Sequence, residues 1–245
     1  MLPGGKKFYQ DEDTWVCSGV ILNSRFILTA AHCKLSNQKH YRVRVGLHEN
    51  AGYIGTYVQD NGQDIQNFNV NDDNFLTHPR YSRRRNRGQL EVSNDIALIR
   101  LPEDVKYSLT AQPACWRHMS GQGPGLGESA VAVGWGKTDP DQISRIGGVF
   151  SSEQTKLSLP LVPALTCQHH YPGLTHGQLC AGGVKGQDSC GGDSGGGLFS
   201  RAEDGSWHVI GIVSYGSRNC GDGIPGIYTN VSHYQDWIQD NMDRL

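Results

Sequence analysis

Alternating apolar and polar positions predict short β-strands through the first hundred residues. Residues 14–27 hold two β-rich runs with an Asn23-Ser24 turn between them, which is typical of a β-hairpin. Residues 41–47 alternate strictly and predict a half-buried strand, and the apolar run 96–101 predicts another. Residues 48–76 are polar and predict a long surface loop with short strands near 57–58 and 68–70.

The second half of the chain continues the β pattern and ends in a helix. Strands are predicted at 129–133 and 156–161, and residues 163–171 have the pattern of a short helix. Near the carboxyl terminus, apolar residues recur with the period of an amphipathic helix: Val231, Tyr234, Trp237, Ile238 and Met242. A chain of 245 residues with this pattern is suited to an all-β fold of two packed barrels.

Charge and hydropathy exclude two classes of partner. The net charge is −2, with 22 basic and 24 acidic residues mixed along the chain, so we expect no nucleic-acid partner. No apolar run approaches the length that a membrane span requires, so we expect no membrane partner either. The basic run 80–87 predicts an exposed, protease-sensitive loop rather than a nucleic-acid patch, because it is short and isolated.

The cysteines indicate export. Seven cysteines without the CxxC pairs of a zinc ribbon, together with 32 glycines, are typical of a disulfide-bearing secreted β protein. We therefore expect an extracellular location. The first residues lack a signal-peptide pattern, which predicts a processed portion of a longer precursor.

One hydroxyl stands among glycines in residues 188–196. Gly192, Gly195 and Gly196 permit a backbone with positive φ around Ser194, so that two amide N–H groups can point into one small volume. Such a volume is an oxyanion hole. A serine hydroxyl is a weak nucleophile unless a histidine takes its proton, and that histidine needs an acid to orient it.

Two short motifs supply the base and the acid. His32 lies beside a cysteine in Leu28-Thr29-Ala30-Ala31-His32-Cys33, and Asp95 stands directly before an apolar strand. Alone, a histidine at position 32 would more often be structural, and an aspartate at position 95 can be a simple cap. The order His32, Asp95, Ser194 is one of the orders known for hydrolytic triads.

These motifs, together with Gly134-Trp135-Gly136, resemble the trypsin-like (chymotrypsin-fold) serine endopeptidases across nearly the whole chain. Within that family, residues 180–183, 185–190 and 228–231 are most similar to the arthropod clip-domain proteases of proteolytic cascades. The resemblance implies two six-stranded antiparallel β-barrels with the active site between them. It divides residues 1–245, one catalytic domain, into barrels at about 1–108 and 109–230 and a helix at about 231–245.

The resemblance also implies the site. His32 is the general base, Asp95 orients it, Ser194 is the nucleophile, and the amides of Gly192 and Ser194 stabilise the oxyanion. Asp188 is expected at the base of a substrate pocket that selects Arg or Lys before the cleaved bond. The remaining substrate-binding residues are expected to be Ser189, Ser214, Tyr215, Gly216 and Gly226.

Six cysteines are expected to form three disulfides: Cys17–Cys33, Cys167–Cys180 and Cys190–Cys220. Cys115 is left over, and the resemblance implies a bridge from it to an N-terminal propeptide or light chain. Ala130 and Ser200 replace a disulfide that is frequent in the family. The other expected partners are a protein substrate cleaved after Arg or Lys and a serpin-type inhibitor.

We expect no cofactor and no tightly bound metal ion, while the acidic residues at 60–73 leave weak calcium binding open. Pro225 stands where sodium-activated relatives carry an aromatic residue, and Leu47 replaces a calcium-ligating carboxylate of the family. The adjacent His169 and His170 have no third ligand at metal spacing and are expected to be exposed.

Activation is expected to involve Asp193. In the resembling family a freed Ile or Val α-amino group pairs with the aspartate before the nucleophile, and Met1-Leu2-Pro3-Gly4-Gly5 does not have that signature. We therefore expect the activating terminus upstream of this sequence.

Two hypotheses for function remain. The first is an active secreted endopeptidase in a zymogen-activation cascade of immunity, clotting or development. The second is a non-catalytic protease homologue that acts as a binding scaffold. Such homologues usually lose the nucleophilic serine, and here all three triad positions are occupied, which favours the enzyme.

Overall fold

The computed structural model describes residues 17–36, 38–47, 65–86, 89–117, 128–137, 151 and 153–244. The described part of the first half contains eight strands and two short 3-10 turns. The strands are β1 Val20–Ile21, β2 Phe26–Thr29, β3 His40–Val45, β4 Gln66–Asn71, β5 Phe75–Thr77, β6 Ser82–Asn86, β7 Gln89–Ser93 and β8 Ala97–Arg100.

These eight strands form three antiparallel sheets. One sheet has the order β1-β2-β8-β5, and β3 pairs with β4 and β6 with β7. The first two sheets share a core, since Ile27 of β2, Val45 of β3 and Phe68 of β4 belong to one cluster of buried side chains. These two sheets therefore share an apolar interior, although the strands described in this half do not close into one hydrogen-bonded ring.

The second half is a closed barrel of six strands in the order β10-β11-β14-β13-β12-β9. The strands are β9 Ser129–Gly134, β10 Thr155–Val162, β11 Gln178–Gly182, β12 Gly197–Arg201, β13 Trp207–Tyr215 and β14 Pro225–Asn230. Buried positions alternate along β9, so that Ala130 and Ala132 point inward with Leu159 and Leu198. Closure leaves no unpaired strand edge in this half.

Two α-helices accompany the barrel. α1 spans Ala164–Gln168, which is shorter than the predicted helix over 163–171. α2 spans Gln235–Asp243 and follows a 3-10 turn at Val231–Tyr234. The predicted apolar stripe is the buried side of this segment, where Ile238 is fully buried. The mainly β fold with a C-terminal helix is thus confirmed.

A single apolar cluster joins the two halves. It contains Leu28 of β2 and Ile96 from the first half, Ile212 of β13 from the second, and Ile238 of α2. Gln235 donates from Nε2 to the Trp116 carbonyl at 3.1 Å, which attaches α2 to the segment that links the halves. The Ala114 amide donates to the Ile21 carbonyl at 2.9 Å and the Cys115 amide to the Trp207 carbonyl at 3.2 Å, so residues 114–116 are bonded to both halves.

The prediction for residues 80–87 was wrong in its secondary structure. Residues 82–86 form strand β6, which pairs in register with β7 from Ser82↔Ser93 to Asn86↔Gln89. The sequence pattern did not predict this strand because every position of β6 is exposed. Its consecutive arginines therefore show no apolar alternation. The strand predicted near residues 57–58 lies outside the described residues. No helix in the described part of the chain is long and apolar enough to cross a membrane.

Candidate active site

His32 and Asp95 form a hydrogen-bonded pair between the two halves. His32 lies in a 3-10 turn, Ala31–Cys33, that follows β2, and its Nδ1 is 2.8 Å from Asp95 Oδ2. The His32 backbone amide donates to Asp95 Oδ1 at 2.9 Å. Because an ionised carboxylate only accepts hydrogen bonds, Nδ1 carries the proton and Nε2 is left as the basic nitrogen.

Asp95 is held from three sides. Its side chain is 2% exposed, and Ser214 Oγ donates to Oδ2 at 2.5 Å in addition to the two bonds from His32. Thr229 Oγ1 donates to the Asp95 carbonyl at 2.7 Å. A buried carboxylate is costly unless it is hydrogen-bonded, and these donors satisfy it.

Asn94 turns the chain into the position that Asp95 needs. Its φ of 52° lies in the left-handed region, which asparagine tolerates better than most residues. Its side chain donates to the Arg80 carbonyl at 2.8 Å and accepts from Tyr234 Oη at 3.1 Å. These bonds attach the residue before Asp95 to both halves of the protein.

Ser194 lies in a tight turn that glycines make feasible. Gly192 and Gly195 have φ of 100° and 78°, a region that other residues rarely adopt. The Gly196 amide donates to the Asp193 carbonyl at 2.8 Å and closes the turn. The Ser194 carbonyl accepts from the Ser18 amide at 2.7 Å, which joins the turn to the first half.

The turn that carries Ser194 packs directly against the segment that carries His32. A Cβ added at Gly195 would collide with Thr29 Oγ1 and would lie 3.0 Å from Cys33 Sγ. The neighbours of Ser194 therefore touch the neighbours of His32. The disulfide Cys17–Cys33 braces the same segment.

Asp193 connects the Ser194 turn to residues 134–137. Its Oδ1 accepts from the Gly136 amide at 2.8 Å and its Oδ2 from the Cys190 amide at 2.9 Å. A Cβ at Gly134 or at Gly136 would collide with this carboxylate, so both glycines are needed for its approach. Burial raises the pKa of Asp193, and the two amides oppose the rise.

Asp188 stands beside a narrow space that glycines keep open. Its Oδ2 accepts from the Gly221 amide at 3.1 Å, and a Cβ added at Gly226 would lie 3.5 Å from its Oδ1. A Cβ at Gly216 would lie 3.7 Å from the Gly226 Cα. Larger side chains at 216 or 226 would fill the space. Burial is also the main cause that raises the pKa of Asp188.

The surrounding tyrosines stiffen this space. Ser189 Oγ is 3.0 Å from Tyr228 Oη, and burial raises the pKa of Tyr228 so that its phenol stays neutral. Tyr171 packs edge-on against Tyr215 with ring centroids 5.6 Å apart and donates to the Pro225 carbonyl at 3.0 Å. Tyr171 thereby links Tyr215 to Pro225, the residue before Gly226, which lies beside Asp188.

The six cysteines of the expected disulfides are joined as Cys17–Cys33, Cys167–Cys180 and Cys190–Cys220. Among the described cysteines, Cys115 alone has no disulfide partner, and it is exposed. His32 comes within 4.8 Å of Cys17 and Cys33, but those sulfurs are bonded to each other and are not metal ligands.

The structure pairs His32 with Asp95 and places the Ser194 turn against the segment that carries His32, and it adds partners that the sequence did not reveal. Ser214 was expected to bind substrate and also donates to Asp95, which is 119 positions away in the chain. Gln178 donates from Nε2 to Tyr215 Oη at 3.3 Å and Thr229 donates to the Asp95 carbonyl, and neither residue stands in a local motif. Asn94 did carry a signal, since an asparagine directly before the acid suits a left-handed turn.

Comparisons with known proteins agree with this geometry. The family model described as Trypsin matches residues 6–238. "CLIP domain-containing serine protease B4" of Anopheles gambiae is 37% identical over 234 residues, which are 92% of this chain and 62% of that protein. "Melanization protease 1" of Drosophila melanogaster is 36% identical, over 92% of this chain and 58% of that protein.

A solved structure is similar as well. Neuropsin, a serine protease expressed in the limbic system of mouse brain, superposes with a TM-score of 0.72 at 33% identity, over 93% of this chain and 89% of that one. The chain spans about three fifths of the length of the curated relatives, with shares of 62% and 58%.

Proposed function

This chain belongs to the trypsin family of serine proteases, and we propose that it is a secreted endopeptidase that cleaves proteins after Arg or Lys. The observation that carries the proposal is the hydrogen-bonded chain from Ser214 through Asp95 to His32, next to the Ser194 turn. A structural histidine would not need a buried acid that is held by a dedicated hydroxyl.

The proposed reaction proceeds through an acyl-enzyme. Ser194 Oγ attacks the scissile carbonyl while His32 Nε2 takes its proton, and Asp95 stabilises the imidazolium. The amides of Gly192 and Ser194 donate to the oxyanion. His32 then gives the proton to the leaving amine, the acyl group remains on Ser194, and a water molecule releases it by the same steps in reverse.

We assign the substrate's basic side chain to the space beside Asp188. A half-buried carboxylate with a raised pKa favours a cationic ligand, because the cation removes the cost of its burial. Gly216 and Gly226 leave room for a long side chain, and the backbone of Ser214, Tyr215 and Gly216 is suited to pair with an extended substrate. Ser189 completes the wall.

Regulation and partners are proposed from the family. Asp193 is the acceptor for a freed α-amino group, whose arrival would neutralise a buried carboxylate. The exposed Cys115 is the attachment point for a propeptide or light chain. Because several relatives are named for phenoloxidase activation, melanization or Spaetzle processing, we place this protein in a zymogen cascade, with a serpin-type inhibitor.

Cleavage of two matched ester substrates tests the preference for a basic residue before the cleaved bond. The activated protein should cleave an arginyl ester far faster than its phenylalanyl counterpart. Asp188→Ser should lower kcat/KM for the arginyl ester roughly 30-fold to several thousand-fold. This corresponds to a loss of about 2–5 kcal/mol of transition-state binding. The exposed Asp204→Ser is the matched control. Equal cleavage of both esters by the parent would refute the assignment.

A further inference from the structure

The β6–β7 hairpin carries a concentration of positive charge. Residues 80–93 contain five arginines and one glutamate, although the whole chain has a net charge of −2. Every position from Ser82 to Asn86 is exposed. The hairpin is a built element rather than a frayed loop, since all five residue pairs of β6 and β7 are in register.

The hairpin forms one wall of a second cavity beside the candidate cleft. The cavity has a volume of about 210 Å³ and is lined by residues 89–91 of the hairpin, by residues 170–173 and by Tyr215 and Gly216. Gln178 attaches the hairpin to the cleft, because its Nε2 donates to the Val92 carbonyl at 3.0 Å and to Tyr215 Oη at 3.3 Å. The wall is therefore held at a set distance from Tyr215.

The arginines on the two faces of the hairpin differ in whether a carboxylate is paired with them. On one face Arg84 donates to Glu91 at 2.8 Å, and Asn86 donates to the other oxygen of Glu91 at 2.8 Å. These bonds lower the pKa of Glu91, so it is ionised and already paired. On the other face Arg83 lies across from Val92 and Arg85 across from Leu90.

Arg83 and Arg85 have no carboxylate partner in the part of the chain that the structure describes. Directly opposite residues of an antiparallel pair share one face, so Arg85 stands on the same face as Leu90, which lines the cavity. Of the cavity-lining residues only Glu91 is acidic, and residues 163–187, which hold the opposite wall, contain no Asp or Glu. The unpaired positive charge is therefore that of the hairpin rim, while Asp188 and Asp222 act electrostatically on Tyr171 at the other side of the cavity.

We propose that Arg83 and Arg85 select acidic residues in the substrate, three to five positions before the cleaved bond. This rests on the proposed function. A substrate that leaves the space beside Asp188 along Gly216 advances about 3.3 Å per residue, so those positions fall about 7–13 Å from the arginyl residue, at the second cavity. An acidic peptide segment fits better than a polyanionic polysaccharide, because the charge is confined to the rim of the cleft.

A pair of peptides tests the proposal with the activated protein. One fluorogenic substrate is Glu-Glu-Glu-Ala-Arg and its uncharged twin is Gln-Gln-Gln-Ala-Arg. At low salt the parent should have about threefold to tenfold higher kcat/KM on the acidic peptide, the size expected from two exposed charge pairs. The preference should fall at 0.5 M salt, where such charges are screened.

Three variants sharpen the test. Arg83→Gln with Arg85→Gln should bring the ratio of the two kcat/KM values close to one. Glu91→Gln should raise the ratio, because it releases Arg84 and removes the one acidic group of the wall. Arg201→Gln is the matched control and should leave the ratio unchanged. Arg201 is an exposed arginine at the end of β12 and lies outside the hairpin.

The outcomes separate the proposals. A parent that cleaves neither peptide contradicts the proposed function, whereas a parent that cleaves both equally contradicts only the selection by Arg83 and Arg85. If the double variant elutes earlier from immobilised heparin while the parent shows no preference between the peptides, the hairpin binds sulfated polysaccharide and the peptide proposal is overturned.

Discussion

At the scale of single residues, three buried or half-buried aspartates organise the site. Asp95 accepts from His32 twice and from Ser214, so its carboxylate fixes the orientation of the His32 ring. Asp188 and Asp193 accept backbone amides instead, and burial raises the pKa of both. The hydrogen bonds to Asp188 and Asp193 do not offset the cost of removing these two carboxylates from water.

The cost of burying the Asp188 carboxylate leads to a prediction about the stability of the protein. Because its pKa is raised in the folded protein, the folded state holds the proton more tightly than the unfolded chain does. Proton binding by Asp188 therefore adds to the free energy of unfolding. This contribution is fully present below the ordinary carboxyl pKa of 3.8 and is lost as the pH rises through the raised pKa.

Asp188→Ser should therefore melt at a higher temperature than the parent at pH 7.5, and the difference should shrink towards pH 3.5. Calorimetry at both pH values measures it. A variant that is less stable than the parent at pH 7.5 would show that Asp188 is a structural cap rather than a ligand group.

At the scale of elements, the Ser194 turn depends on contacts with segments that are distant in sequence. Asp193 joins it to Gly136, and the Gly195 amide joins it to the Val213 carbonyl of β13 at 2.9 Å. The turn itself contains little apolar surface, so its shape is set by these bonds and not by local packing.

Replacing Asp193 tests that dependence. An asparagine side chain at this position would offer one oxygen for two amide donors and would place an NH₂ group against one of them, so Asp193→Asn should disturb the amides of Gly192 and Ser194. We expect kcat to fall by about 10²–10³, as for removal of an oxyanion donor. Asp204→Asn, in an exposed turn, is the control. Unchanged kcat in Asp193→Asn would contradict this role.

The barrel offers a second test at this scale. β9 and β12 pair as Val131↔Phe199, which places the buried Ala130 and Ser200 opposite each other one step further along. Ala130→Cys with Ser200→Cys should form a disulfide and raise the free energy of unfolding by about 2–4 kcal/mol.

Mass spectrometry and thermal melting, with and without reductant, measure the gain. Ser200→Cys alone controls for the substitution itself. If the two thiols stay reduced under oxidising conditions, the register inferred for these strands is wrong.

The sequence predicted elements where local pattern decides them and failed where a distant partner does. Residues 26–29 were visible as a short apolar run, all of which is buried, and the helix after Val231 was visible because its apolar periodicity survives. Strand β6 was not, since its arginines carry no periodicity and its pairing with β7 defines it. His32, Asp95 and Ser194 each stood in a short motif, whereas the bond from Ser214 to Asp95 joins residues that only the barrel brings together.

At the scale of the whole molecule, the site is assembled from both halves around one shared core. His32 and Asp95 come from the first half, while Ser194 and Ser214 come from the barrel. Leu28 and Ile96 pack in the same cluster as Ile212 and Ile238, so the apolar interior keeps the two sets of residues aligned. The amide of Ser18 and the carbonyl of Ser194 complete the join.

The most direct test of this account is titration of the activated protein with a fluorophosphonate, followed by peptide mapping. If His32 and Asp95 activate Ser194, label should bind in a one-to-one ratio and map to Ser194, with none on Ser194→Ala. His32→Ala should be labelled slower by roughly 10⁴-fold or more, as for loss of a triad member. Absence of stoichiometric labelling in the parent, or label on another residue, would contradict the account and favour a non-catalytic scaffold.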